Sequence, residues 1–122
     1  MRCLVLALSV AGAGVWTGCY VAGTAEEFKW TLEVPKSVEK GAELVFRVTA
    51  SNAAGEQING VKYHHQTLWP GGSTSPLRHT GRTGEEERIR ARLMAGPATL
   101  VVTCEDRSGV LIKVGEAQFE VK

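Results

Sequence analysis

The side chains best able to hold a metal or act as a nucleophile are few: three histidines, His64, His65 and His79, and three cysteines, Cys3, Cys19 and Cys104. Successive residues of a strand point to opposite faces, so His64 and His65 do not readily share an ion. His64 meets His79 if their strands pair, and Cys104 then adds a soft donor suited to copper or zinc. No C-x-x-C, H-x-x-x-H or Met-rich run reinforces that set. The competing expectation is a surface His64 and a semi-buried, hydrogen-bonded His65. Covalent catalysis has less support. A nucleophile needs a base within reach and a third group to orient it, and a reactive thiol needs exposure and a depressed pKa. Cys104 lies in an apolar alternating stretch and reads as an inert core thiol. Ser73 and Ser75 lack a G-x-S-x-G context. Glu85, Glu86 and Glu87 form a charge run of the kind found on solvated turns. The chain is expected not to be an enzyme, and nothing in it signals an organic cofactor.

Recognition has better candidates. Tyr63, Trp69 and Pro70 lead into the loop of residues 70–76, and loops on a rigid scaffold commonly carry binding. Tyr and Trp dominate binding hot spots. The competing role for both aromatics is to fill the core. Arg88, Arg90 and Arg92 make a basic stripe if that stretch is a strand. Such a stripe meets anionic lipid or polysaccharide, or is paired with carboxylates on a neighbouring strand.

Composition narrows the classes. The chain has 122 residues, with 14 Lys and Arg against 13 Asp and Glu, which is one domain's length without the basic excess a nucleic-acid binder needs. Nucleic acid is therefore excluded as an expected partner.

The N-terminal stretch reads as an address. After Met1 and Arg2, residues 4–15 are apolar or small, and no charge falls between Arg2 and Glu26. As a helix, residues 4–15 span roughly 18 Å, short of the ~30 Å hydrocarbon core but suited to a secretory signal. Trp16-Thr17-Gly18-Cys19 follows and resembles the lipobox of bacterial lipoproteins, although Trp16 stands where that family has Leu, Val or Ile. The resemblance implies a signal peptide over residues 1–18, acylation of Cys19 and a lipid bilayer as partner. Tyr20, rather than Asp, implies the outer membrane in a Gram-negative host. The rival is plain signal cleavage near Gly23, Thr24 and Ala25. Lipidation of Cys19 leaves Cys104 without a disulfide partner, so stability must come from a packed core.

Behind a short tether of residues 19–27, period-two alternation dominates. Phe28, Trp30, Leu32 and Val34 mark a first strand, and Leu44, Phe46, Val48 and Ala50 a second. Residues 58–69 read as one long strand with Val61, Tyr63, His65, Thr67 and Trp69 on one face. Residues 77–82 offer a short polar strand. In residues 85–94, Ile89, Ala91 and Leu93 follow a strand period, against a helical alternative supported by Glu86–Arg90 spacing. Ala98, Leu100, Val102 and Cys104 share a face. The last strand changes parity at Gly115, which predicts a bulge.

Seven short strands separated by turns suggest a sandwich. Val38-x-x-Gly41-x-x-Leu44-x-Phe46-x-Val48 and Gly96-x-x-x-Leu100-x-Val102 are similar to strands of bacterial immunoglobulin-like domains. That likeness implies an all-β, antiparallel immunoglobulin-like sandwich over residues 28–122. The strand of residues 43–50 has no cysteine and no Tyr precedes Cys104, so the antibody disulfide and tyrosine corner are missing. The expected function is a membrane-anchored, non-enzymatic envelope module that contacts an envelope protein or glycan. The alternative is a periplasmic metal-binding sandwich using His64, His79 and Cys104.

Overall fold

A computed structural model describes residues 23–72 and 78–122. The signal segment, Cys19 and most of the loop of residues 70–76 lie outside them. Eight strands appear in the described chain: β1 (Lys29–Glu33), β2 (Ser37–Val38), β3 (Glu43–Ser51), β4 (Lys62–Leu68), β5 (His79–Arg82), β6 (Glu86–Arg90), β7 (Gly96–Glu105) and β8 (Leu111–Val121). They form two sheets, ordered β1-β3-β6 and β2-β8-β7-β4-β5. All pairings are antiparallel except the two-residue β2–β8 pair.

The strand order defines the class. Immunoglobulin sandwiches place strands A, B and E in one sheet and C, F and G in the other. Lettered in chain order, the sheets here read A-B-E and A′-G-F-C-C′, with no D strand among the described residues. The chain is an all-β immunoglobulin-like sandwich.

Alternation explains which faces meet. Leu44, Phe46, Val48 and Ala50 of β3 are buried against Leu100, Val102 and Phe119 of the opposing sheet. Fully burying such a side chain is worth roughly 1.5–3 kcal/mol. The bulge falls where the parity change predicts it, because Val102 pairs with Gly115 but Thr103 pairs with Lys113, leaving Val114 over. Residues 86–90 are a strand, not a helix, since cross-strand pairing with β3 outweighs the helical propensity of that run.

Three expectations need correction. The long strand of residues 58–69 starts only at Lys62, because Gly60 adopts a positive φ of 87° that interrupts the extended chain. Leu93 does not continue the inward face of β6. That strand ends at Arg90 and Leu93 is 79% exposed. The packed domain also begins before residue 28, because Ala25–Glu27 forms a 3-10 turn with Ala25 buried. Trp30 Nε1 donates to the Ala25 carbonyl at 3.1 Å, and the Arg107 amide donates to Glu26 Oε2 at 3.3 Å. The described N-terminus thus sits at the end holding the β7–β8 hairpin. Lys122 lies at the opposite end, its amide donating to the Val38 carbonyl at 2.9 Å.

Candidate functional site

The chain changes sheets five times, and two of those crossings, β1 to β2 and β5 to β6, join an edge strand of one sheet to an edge strand of the other. On the β5–β6 side the sheets part around a cleft of about 420 Å³. Its lining includes His65 of β4, His79 of β5, Glu87 of β6 and three arginines, Arg88, Arg90 and Arg92.

Register explains how these residues meet. The β4–β5 pairing sets His65 directly opposite His79, and His64 opposite Thr80. The imidazoles of His65 and His79 stack with centroids 5.3 Å apart. Glu87 reaches in from the other sheet, its Oε1 3.6 Å from His65 Nε2. Phe46 meets the His65 ring edge-on at 5.0 Å. His65 is only 2% exposed, and neither ring nitrogen has a hydrogen-bond partner; the buried hydroxyl of Tyr63 also lacks one.

Burial sets the electrostatics. It pushes the His65 imidazole down to about 4, with smaller contributions from His79 and His64. Burial, then the neighbouring Glu85, raises the Glu87 carboxyl above the usual carboxylate range, while His79 opposes the shift. At neutral pH His65 is uncharged, so its approach to Glu87 is not an ion pair. At 3.6 Å it is also too long for a hydrogen bond. Burial likewise raises the Tyr63 hydroxyl, helped by Glu87 and Glu85.

The expected metal set of His64, His79 and Cys104 does not assemble. His64 pairs with Thr103 on the outer side of the sheet, whereas Cys104 faces inward. His79 meets His65 instead. Cys104 is a free, buried thiol 3.6 Å from the Lys62 carbonyl, and burial raises its pKa. The expectation that His65 is hydrogen-bonded is also overturned.

The expected contact surface turns inward. Tyr63 is 0% exposed and Trp69 6%, and Pro70 is buried with them. Trp69 packs edge-on against Phe119 with centroids 6.0 Å apart, and Arg92 lies 5.9 Å from its ring centroid. These aromatics hold the sandwich together. The arginine stripe is engaged locally: Arg88 bridges Glu43 at 3.3 Å and Glu86 at 3.4 Å, and Arg90 donates to the Gly41 carbonyl. Sequence reasoning missed His65 and Glu87 as site residues. The shared face of Tyr63, His65 and Trp69 was the available signal, but it does not say which histidine opposes His79.

No family model matches the chain, and no curated protein does. Among solved structures, the CARDB domain of a Pyrococcus furiosus protein, solved in complex with di-metal ions, is similar at 18% identity. The match covers 82% of this chain and 91% of that one, with a TM-score of 0.38.

Proposed function

We propose that the chain is a non-enzymatic interaction module held at the cell envelope by acylation of Cys19. The lipobox-like Trp16-Thr17-Gly18-Cys19, close before the first packed residue, supports the anchor. The distribution of exposed apolar side chains carries the interaction reading. Val110 and Ile112 are exposed at the β7–β8 hairpin, the end that would face the bilayer, while Leu68, Leu93 and Met94 are exposed near the end opposite the described N-terminus. Met94 is placed there against Gly71: a Cβ on that glycine would lie 2.9 Å from the Met94 sulfur. Grouped exposed apolar surface of this kind marks contact sites. A chain tethered at residue 19 presents that end away from the bilayer. The buried thiol of Cys104, with its raised pKa, supports the non-enzymatic reading.

Intact mass spectrometry of the protein from its native membrane fraction tests the anchor. A diacylated or triacylated N-terminal Cys19 is expected; an unmodified N-terminus near Glu26 would overturn it. Site-specific photo-crosslinking in the same membranes tests the contact. A probe at Leu93 is expected to capture an envelope partner, and one at Glu33 is not. Equal labelling from both positions removes the interaction surface.

A further inference from the structure

The cleft on the β5–β6 side leaves two observations without a structural explanation, one at each end. Its walls run from His65 through Thr67 to Trp69, along and just past β4, and from Glu87 through Arg90 to Arg92, along and just past β6. At the rise of a strand, His65 and Trp69 lie about 13 Å apart. At the Trp69 end stand two guanidiniums without a carboxylate. Arg90 donates to the Gly41 carbonyl at 2.6 Å and Arg92 lies over the Trp69 ring, and neither makes an ion pair among the described residues. Arg88 differs, because Glu43 and Glu86 hold it. At the other end His65 is buried with both ring nitrogens unpartnered, whereas a side chain so buried normally has its polar atoms paired. Glu87 stands beside it, so that end repels a negative charge.

The two ends ask for different groups. A guanidinium takes a carboxylate, which its planar fork grips through two N–H bonds. A neutral imidazole carries one donor and one acceptor, and the Glu87 carboxylate accepts; a hydroxyl, donor and acceptor at once, serves both. We propose that this cleft binds an acidic glycan, a chain containing uronic-acid sugars, with a carboxylate on Arg92 and Arg90 and sugar hydroxyls on His65 and Glu87. Such a chain spaces its charges with hydroxyls and so meets both ends. An acidic peptide would suit the arginines but would set its carboxylates against Glu87. Trp69 is buried and covered by Arg92, so it serves as the platform that orients the guanidinium and not as a stacking face for a sugar ring. The glycan gives His65 its missing partners. This site goes beyond the contact surface around Leu93 and stands whether or not Cys19 is acylated.

The test is calorimetric titration of the full chain in detergent with oligomers of galacturonate, mannuronate and glucuronate. At least one is expected to bind saturably, and its fully methyl-esterified form to bind about tenfold more weakly or less. Affinity is expected to fall about tenfold in Arg92→Gln, less in Arg90→Gln, and not at all in Arg107→Gln, which removes the same charge from the opposite end of the domain. All three side chains are exposed, so the variants keep the fold. On saturation the ring ¹⁵N resonances of His65 should shift, and those of His64, on the outer face, should not. No saturable binding of any of the three oligomers overturns the site, as does a His65 ring that does not respond. Equal losses in Arg92→Gln and Arg107→Gln, or an ester that binds like the acid, also overturn it. A polyglutamate peptide that binds as tightly as the best uronate would assign the cleft to acidic peptides and overturn the glycan.

Discussion

The two flanks where consecutive edge strands belong to opposite sheets are built from opposite materials. On the β1–β2 side, Leu32 of β1 lies so close to Gly115 of β8 that a Cβ there would stand 2.6 Å from Leu32 Cδ1. Val34 and Val114 pack against the same core, and the flank is sealed. On the β5–β6 side the residues at the seam are His65, His79 and Glu87, and the flank stays open. Both crossings solve the same topological problem. The sealed one does so with an apolar side chain and a glycine that makes room for it. The open one retains polar groups that burial penalises.

The contrast can be broken from below. Phe46 is buried and supports the His65 ring, so Phe46→Ala should cost about 3–5 kcal/mol in urea denaturation. Acid acts most strongly on the open flank, with a smaller contribution of the same sign from His64, whose imidazole burial also pushes down. With the His65 pKa depressed to about 4, the unfolded chain takes up a proton near its ordinary value, about 6.5, before the folded chain does. The contribution is fully present above the unfolded value and is lost as pH falls toward the folded one. The protein should lose roughly 3 kcal/mol between pH 7 and 4, offset in part by the raised Glu87 carboxyl, whose shift has the opposite sign. His65→Phe should remove most of that slope in a pH series of thermal melts.

Overfilling tests the sealed flank. Gly115→Val should cost about 1–3 kcal/mol, and Leu32→Ala should recover part of it in a double-mutant cycle. Complete additivity would mean that the two residues do not meet. The smallest effect belongs to the exposed arginine stripe. Arg88→Ala should change stability by less than about 1 kcal/mol, and less still at high salt.

Much of the sandwich was legible because alternation is a local signal. β3, β7 and the bulge at Gly115 follow from residue parity alone. β2 was not legible, since two residues carry no period and are held only by β8. The partner of His79 was hidden for a different reason. A one-residue change of register turns every side chain to the other face, and the connection between β4 and β5 is too long for its turn residues Pro70, Gly71 and Gly72 to fix the pairing. His64 was therefore expected where His65 stands. Leu93 was misplaced because parity cannot show where a strand ends. The aromatics Tyr63 and Trp69 were correctly placed on one face, but sharing a face with Val61 and Thr67 proved to be a mark of the core.

The two-residue pair of β2 with β8 has a mechanical consequence. Three backbone bonds tie this patch: the Glu120 amide to the Lys36 carbonyl at 2.9 Å, the Lys40 amide to the Lys122 carbonyl at 3.0 Å, and the Lys122 amide to the Val38 carbonyl at 2.9 Å. Because the strands are parallel and the termini leave at opposite ends, tension along the molecule shears these bonds together instead of unzipping them in turn. In single-molecule pulling from the two ends, Lys40→Pro, which removes the amide that donates to the Lys122 carbonyl, should lower the rupture force more than it lowers the melting temperature. An equal loss in both would show that the patch bears no load of its own.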